Sequence, residues 1–183
     1  MRIIAGSCKG RPILAPKGMD TRPTLDRVKE SLFGIIQFQI YGKTVLDLFA
    51  GSGNLGLEAL SRGASFAAFN DMSRDAVKVI RANIEKLGFE QKSVVMNVDF
   101  AQAIRSLSAR RFDIVFLDPP YRAGLMEKAL KELSTAGILN EGAMVIAEHD
   151  AHIAPVDTGA LVLYDRRIYR DTALSFYRLE GEE

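Results

Sequence analysis

Thr44-Val45-Leu46-Asp47-Leu48-Phe49-Ala50-Gly51-Ser52-Gly53-Asn54-Leu55-Gly56, residues 44–56, decides the fold of this 183-residue chain. An apolar run of strand length enters a turn whose glycines follow the spacing G-x-G-x-x-G, and a helical pattern begins at once. Without side chains the backbone bends sharply there and a ligand approaches the main chain closely. Downstream, apolar runs alternate with amphipathic stretches, the pattern of an α/β domain whose mostly parallel sheet is covered by helices. Strands are expected at 44–49, 65–69, 93–98, 112–117 and 143–148. The clearest helix is 74–87, with Ala76, Val77, Ile80, Ile84 and Leu87 on one face and Gly88 as its stop. A second lies at 125–133. Beyond Glu148, β-rich runs at 161–169 and 172–179 flank Arg170 and Asp171, which reads as an antiparallel C-terminal hairpin.

Upstream, 2–14 is a short β-like segment interrupted by Gly6 and Gly10, and a helix is entered through Pro23 and Thr24. Val28, Leu32 and Ile36 give that helix an apolar face, Thr24 is its expected N-cap, and Asp26 complements the helix dipole. Residues 1–43 are too few for a core of their own and are expected to form an arm packed on a domain of residues 44–183. Net charge is +1, but its distribution is uneven. Eight basic residues against three acidic ones give the first 43 residues +5, and the remainder carries −4. Charge alone leaves two readings of such an arm, a docking site for a polyanion or a solvated surface with scattered lysines.

Composition at 48% hydrophobic and 26% charged excludes a disordered or collagen-like chain. The lone Cys8 makes no internal disulfide and has no neighbouring His or Cys, so it reads as inert and the compartment as a reducing cytoplasm. The longest uncharged stretch, 31–42, is too short and too polar for a membrane span. The apolar residues between Arg2 and Lys9 are too few for a secretory signal.

The glycine loop alone does not choose between a dinucleotide and another adenosine compound. Asp71, 18 residues after Gly53 and beyond the second strand, suits ribose hydroxyls. Asp47 argues against a pyrophosphate, which a neighbouring carboxylate repels, and for the sulfonium and ammonium groups of S-adenosylmethionine. Its alternative role is to cap the amides of the turn. Asp99 is placed to meet an adenine amino group with Phe100 against the ring, or else to cap the helix that begins after it.

Asp118-Pro119-Pro120-Tyr121 follows the buried run 112–117, at the carboxyl end of a strand, where open α/β sheets bind ligands. The prolines lack amide hydrogens and hold the backbone extended, so the Pro119 carbonyl is available as an acceptor. With Asp118 it offers two acceptors to an exocyclic amino group, orienting the nitrogen lone pair towards a methyl donor. Tyr121 offers a face on which a base stacks.

DLFAGSG paired with DPPY resembles the amino-methyltransferases that use S-adenosylmethionine, and the run Arg22-Pro23-Thr24-Leu25-Asp26-Arg27-Val28-Lys29-Glu30 resembles the RsmD family more narrowly. Members methylate the exocyclic amine of a guanine in small-subunit ribosomal RNA, and the resemblance covers nearly the whole chain. It implies a Rossmann-like class I methyltransferase fold. It implies also that Asp47, Gly51, Gly53, Asp71 and Asp99 hold the cofactor, with Ala50, Ser52, Met72 and Phe100 beside them. Arg22 and Thr24 would edge the methionine pocket, and Asp118, Pro119, Pro120 and Tyr121 the guanine. Asn70-Asp71-Met72-Ser73-Arg74 departs from the family's E-x-D-R, which leaves both Asn70 and Asp71 as ribose candidates.

The expectation is therefore an S-adenosylmethionine-dependent RNA (guanine-N2) methyltransferase: a cytoplasmic monomer that meets ribosomal RNA or the small subunit through its basic arm and needs no metal or membrane. A DNA-adenine enzyme would need a target-reading module to flip a duplex base, and the chain has little room for one. A protein-glutamine methyltransferase, a catalytically silent RNA-binding relative and a nicotinamide oxidoreductase are the remaining alternatives. Glu148, His149, Asp150 and His152 imitate a metal cluster, although methyl transfer from a sulfonium needs none. Arg166, Arg167 and Arg170 either extend an RNA surface or are solvated hairpin charges.

Overall fold

A computed structural model describes residues 1–17, 23–120, 124–156 and 158–179. The glycine loop joins β1 (Thr44–Asp47) to α2 (Asn54–Ser61), after α1 (Pro23–Ile35). The alternation continues through β2 (Phe66–Asn70), α3 (Arg74–Leu87), β3 (Ser93–Met96), α4 (Phe100–Ser106), β4 (Phe112–Leu117), α5 (Leu125–Thr135) and β5 (Leu139–Asp150). β6 (Leu161–Tyr169) and β7 (Thr172–Leu179) form the C-terminal hairpin.

The seven strands lie in the order β3-β2-β1-β4-β5-β7-β6. β1 to β5 are mutually parallel, and β7 inserts antiparallel between β5 and β6. The chain runs outward from β1 to β3 and returns to β4 on the other side of β1. This switch point opens a crevice at the carboxyl ends of β1 and β4. Alternation along the strands divides the core into two layers. Val45 and Phe116 face a layer with Ile3, Leu32, Phe33 and Ile80, whereas Leu46 and Val115 face one with Ile104, Leu130 and Tyr177.

α3 has the bounds its pattern predicts. Ser73 Oγ accepts from Ala76 N at 3.3 Å, and Gly88 closes the helix in the left-handed conformation that glycine adopts without strain. β1 and β3 end two residues before their expected limits, where the chain leaves the ladder for the cleft loops. β5 starts four residues earlier than its apolar run. Glu141 and the left-handed Gly142 interrupt that run at the register shift opposite Phe112 and Ile114. α1 begins at Pro23, whose fixed φ suits a first helical position, so Thr24 lies inside the first turn rather than at the cap expected for it.

The expected β-like segment at 2–14 is a hairpin reduced to one bridge, Arg2 to Pro12. Its Ile3, Cys8 and Ile13 belong to the same core layer as Val28, Leu32 and Ile36. The segment is bound to α2 by Ser61, which bonds Ala5, Ser7 and Cys8, and by a buried carboxylate: Glu58 accepts from Ile4 N at 2.8 Å and Ala5 N at 3.0 Å, and from Lys29 Nζ and Arg62 Nε. Lys29 spends its three donors on Glu58 at 2.9 Å, Asn54 Oδ1 at 2.6 Å and the Arg2 carbonyl at 3.1 Å. Burial alone would raise the Glu58 carboxyl, but this set of donors holds it below its ordinary value.

Gly56 sits where α2 crosses β2, and a Cβ there would lie 2.3 Å from the Phe69 ring. Gly56→Ala is expected to cost about 1–3 kcal/mol through displacement of Phe69, read as a lower urea midpoint at unchanged m-value.

Candidate active site

The glycine loop is held from within. Gly51 N donates to Asp71 Oδ2 at 2.8 Å, Gly53 N to the Ala50 carbonyl at 2.7 Å and Gly56 N to Asp47 Oδ2 at 2.9 Å. All three glycine amides are satisfied by the chain itself, two of them by carboxylates. A pyrophosphate would meet negative charge where a dinucleotide fold presents amides.

Asp47 is 1% exposed and sits beneath the loop rather than in the wall of the cleft. Burial raises its carboxyl to about 7, partly offset by the Gly56 amide, with Asp118 and Asp71 adding repulsion. A raised folded-state value contributes stability that is complete at low pH and is lost as pH climbs through about 7. Asp47→Asn, which keeps an oxygen for Gly56, is therefore expected to gain stability over the wild type progressively from about pH 4 to about pH 7 and to hold that gain above it, measured by urea unfolding across that range.

The crevice opens into a cleft of about 730 Å³. Gly51, Asp71, Met72, Asp99, Phe100, Asp118, Pro119 and Pro120 all line it. Ala50, Ser52 and Gly53 are buried behind Gly51, where Ser52 O accepts from Asn83 Nδ2 at 3.0 Å. Asn70 also borders the cleft, but its amide bridges the strand ends, donating to the Leu48 and Val98 carbonyls at 3.2 and 3.1 Å. Asp71 is anchored by Gly51 N and Ser73 N, both at 2.8 Å. Asp99 caps α4 through Oδ1 alone, which accepts from Ala101 N and Gln102 N. Capping and cleft lining are thus combined in one side chain. Phe100 packs against Phe49 with ring centroids 5.7 Å apart, and with Val98 and Ala76 they supply apolar lining to the cleft.

Arg22 and Tyr121 lie outside the described residues, as does the side chain of Thr24. Sequence reasoning did not find Pro16, which brings the arm to the cleft, or Lys128 of α5. Neither stands in a motif, and only the tertiary fold delivers them.

Asp118 keeps an open surface towards the cleft while protein crowds its carboxyl, and the lost hydration raises it above the ordinary carboxylate range. A second cavity of about 320 Å³ lies on the other side of Pro119 and Pro120, bordered by Glu148, His149 and Asp150. The His149 ring is committed between the Asp150 carbonyl and Ser175 Oγ, each at 2.8 Å, and no group of three or more potential metal ligands occurs among the described residues. Nor is any described helix long and apolar enough to cross a membrane.

A family model described as Conserved hypothetical protein 95 matches residues 1–178. The ribosomal RNA small subunit methyltransferase D of Escherichia coli K12 is 33% identical over 183 residues, covering 100% of this chain and 91% of its own. The chain belongs to the RsmD family. The Haemophilus influenzae protein of the same name is 38% identical over 154 residues, 81% of this chain and 78% of that one. Among solved structures, yhhF from Escherichia coli superposes with a TM-score of 0.87 at 34% identity, covering 100% of this chain and 99% of that chain. RsmD membership accounts for the strand order and for the antiparallel hairpin, which the fold shares with other class I methyltransferases.

Proposed function

We propose that the protein transfers a methyl group from S-adenosylmethionine to the 2-amino group of a guanine in small-subunit ribosomal RNA. The observation that carries this reading is the joining of two features at one strand switch. A glycine loop whose amides are closed by carboxylates opens onto a cleft walled by Asp118, Pro119 and Pro120. Membership of the RsmD family supports the class of reaction and of RNA.

The described residues fit the donor. The acidic surroundings, with Asp47 below the loop, suit its cationic groups; Asp71 suits ribose hydroxyls, and Asp99 with Phe100 suits adenine. Gly51 allows close approach, with Ala50, Ser52 and Gly53 shaping the loop behind it, Met72 at the rim, and Arg22 and Thr24 at the methionine end. When bound, S-adenosylmethionine supplies a methyl group made electrophilic by its sulfonium. The chain's own work concerns the nucleophile. The guanine amine is a poor one because its lone pair is delocalised into the ring. Asp118 and the Pro119 carbonyl each accept one N–H, which turns the lone pair towards the cleft. As the N–C bond forms and the C–S bond breaks, the nitrogen sheds a proton, which Asp118 receives. Pro120 fixes the path of the loop and Tyr121 stacks on the base. The basic residues of 1–43 draw the RNA in, as an arm on the domain of residues 44–183.

Incubation with methyl-labelled donor and unmethylated small subunits, followed by nucleoside analysis, tests the proposal. Label in N2-methylguanosine is expected. Label confined to another nucleoside or to protein contradicts it.

A further inference from the structure

The cavity beyond Pro119 and Pro120 has no role in the donor site, and one of its walls is a carboxyl group. β4 and β5 pair in parallel with Leu117 opposite Ala147, which sets Asp118, just past the end of β4, beside Glu148 within β5. Asp118 lines the larger cleft and Glu148 the smaller cavity, with the two prolines forming the partition. At about 320 Å³ the smaller cavity has the capacity of a small-ligand pocket.

We propose that Glu148 reads the Watson–Crick edge of the target guanine as a neutral carboxylic acid, its carbonyl oxygen accepting from N1–H and its hydroxyl donating to O6, while Asp118 holds the 2-amino group. This rests on the function proposed above and extends it to the choice of base.

Asp118, open towards the cleft but crowded at its carboxyl, and Glu148, half-buried on the neighbouring strand, oppose each other's ionisation, so the pair favours one negative charge and one proton at neutral pH. The proton belongs on Glu148. Burial raises that carboxyl first and the charge of Asp118 raises it further, to about 8. The other titratable groups bordering its cavity are Glu127 from α5 and His149 and Asp150 from β5 itself, while Leu174 faces it from β7. His149 is held below its ordinary value by burial and by Arg166 of β6 and is neutral, and the Arg166 guanidinium is engaged with the Ala151 and Ile153 carbonyls rather than with Glu148. Of the RNA bases, guanine alone sets a 2-amino group beside an N1–H and an O6. Asp118 as carboxylate and Glu148 as acid meet that row of donor, donor and acceptor in order.

The test compares wild type, Glu148→Gln and Glu148→Leu in the full chain, using methyl-labelled donor, unmethylated small subunits and a pH series from about 6 to about 8.5, below the ionisation of guanine N1. S-adenosylhomocysteine affinity and the unfolding midpoint are measured alongside. A glutamine amide imitates the neutral acid and does not titrate. Glu148→Gln is expected to keep kcat/KM within about fivefold at neutral pH and to lose the alkaline decline of the wild type. Glu148→Leu is expected to lose at least about 30-fold in kcat/KM, with S-adenosylhomocysteine affinity retained. Glu148→Leu as active as wild type, Glu148→Gln as impaired as Glu148→Leu, or one alkaline limb shared by wild type and Glu148→Gln would each overturn the inference. A wild type that forms no N2-methylguanosine sinks the function itself, whereas N2-methylguanosine formed at full rate by Glu148→Leu sinks only the role of Glu148.

Discussion

Asp118→Ala is expected to lower methyl transfer to unmethylated small subunits by about 10²- to 10⁴-fold, while S-adenosylhomocysteine affinity stays within about twofold of wild type. The loss is large because the proposed mechanism gives the side chain two tasks. It orients the amine before transfer and receives the proton afterwards, and the Pro119 carbonyl replaces it in neither. The donor is spared because its proposed contacts come from the glycine loop, Asp71 and Asp99, on other strand ends. Asp118→Asn keeps one oxygen acceptor but no charge, so its deficit falls between those of alanine and wild type. Label-transfer kinetics paired with calorimetry separate the effects. Unchanged turnover in Asp118→Ala removes the carboxylate from the mechanism.

Glu58→Ala is expected to destabilise the fold by about 3–5 kcal/mol, which is a large part of the total stability of an ordinary domain. Glu58 is fully buried and Lys29 nearly so, with the ion pair at 2.9 Å. Its removal leaves an ammonium enclosed without a counter-charge and takes the acceptors from Ile4 N, Ala5 N and Arg62. The N-terminal segment, α1 and α2 would loosen together, because this carboxylate is where they meet. Glu58→Gln combined with Lys29→Met removes both charges and is expected to cost less than Glu58→Ala, since breaking a buried pair is worse than replacing it. Urea unfolding checks both, and a loss below about 1 kcal/mol for Glu58→Ala contradicts the account.

The elements legible in the sequence are those specified locally. α3 carries its cap, its apolar face and its glycine stop within 74–88, and the hairpin at 161–179 is a pair of β-rich runs around a two-residue connection. β4 was legible as an apolar run broken only by Asp113 near its start, because a strand buried on both faces reads that way. The extension of β5 was hidden because Glu141 and Gly142 are solvent-facing residues within a strand that only pairing with its neighbours sustains. Lys29 stood in a recognisable motif, but its partner Glu58 lies on another helix and no local pattern joins them. Glu148 was misleading for a related reason. Beside His149, Asp150 and His152 it imitates a ligand cluster, whereas the sheet register sets it next to Asp118, thirty residues earlier in the chain. For Asp47, the sequence offered both contact with a cation and capping of the turn's amides, and the capping contact is the one observed. The structure adds that the side chain reaches Gly56 from below the loop, so its influence on a ligand passes through burial and field.

The most direct measurement is a crystal structure of the protein with S-adenosylhomocysteine and RNA carrying the target guanine. The account predicts the guanine N2 within about 3 Å of both an Asp118 carboxylate oxygen and the Pro119 carbonyl, with the nitrogen facing the sulfur across the cleft. Asp118 turned away from a base seated elsewhere would contradict it.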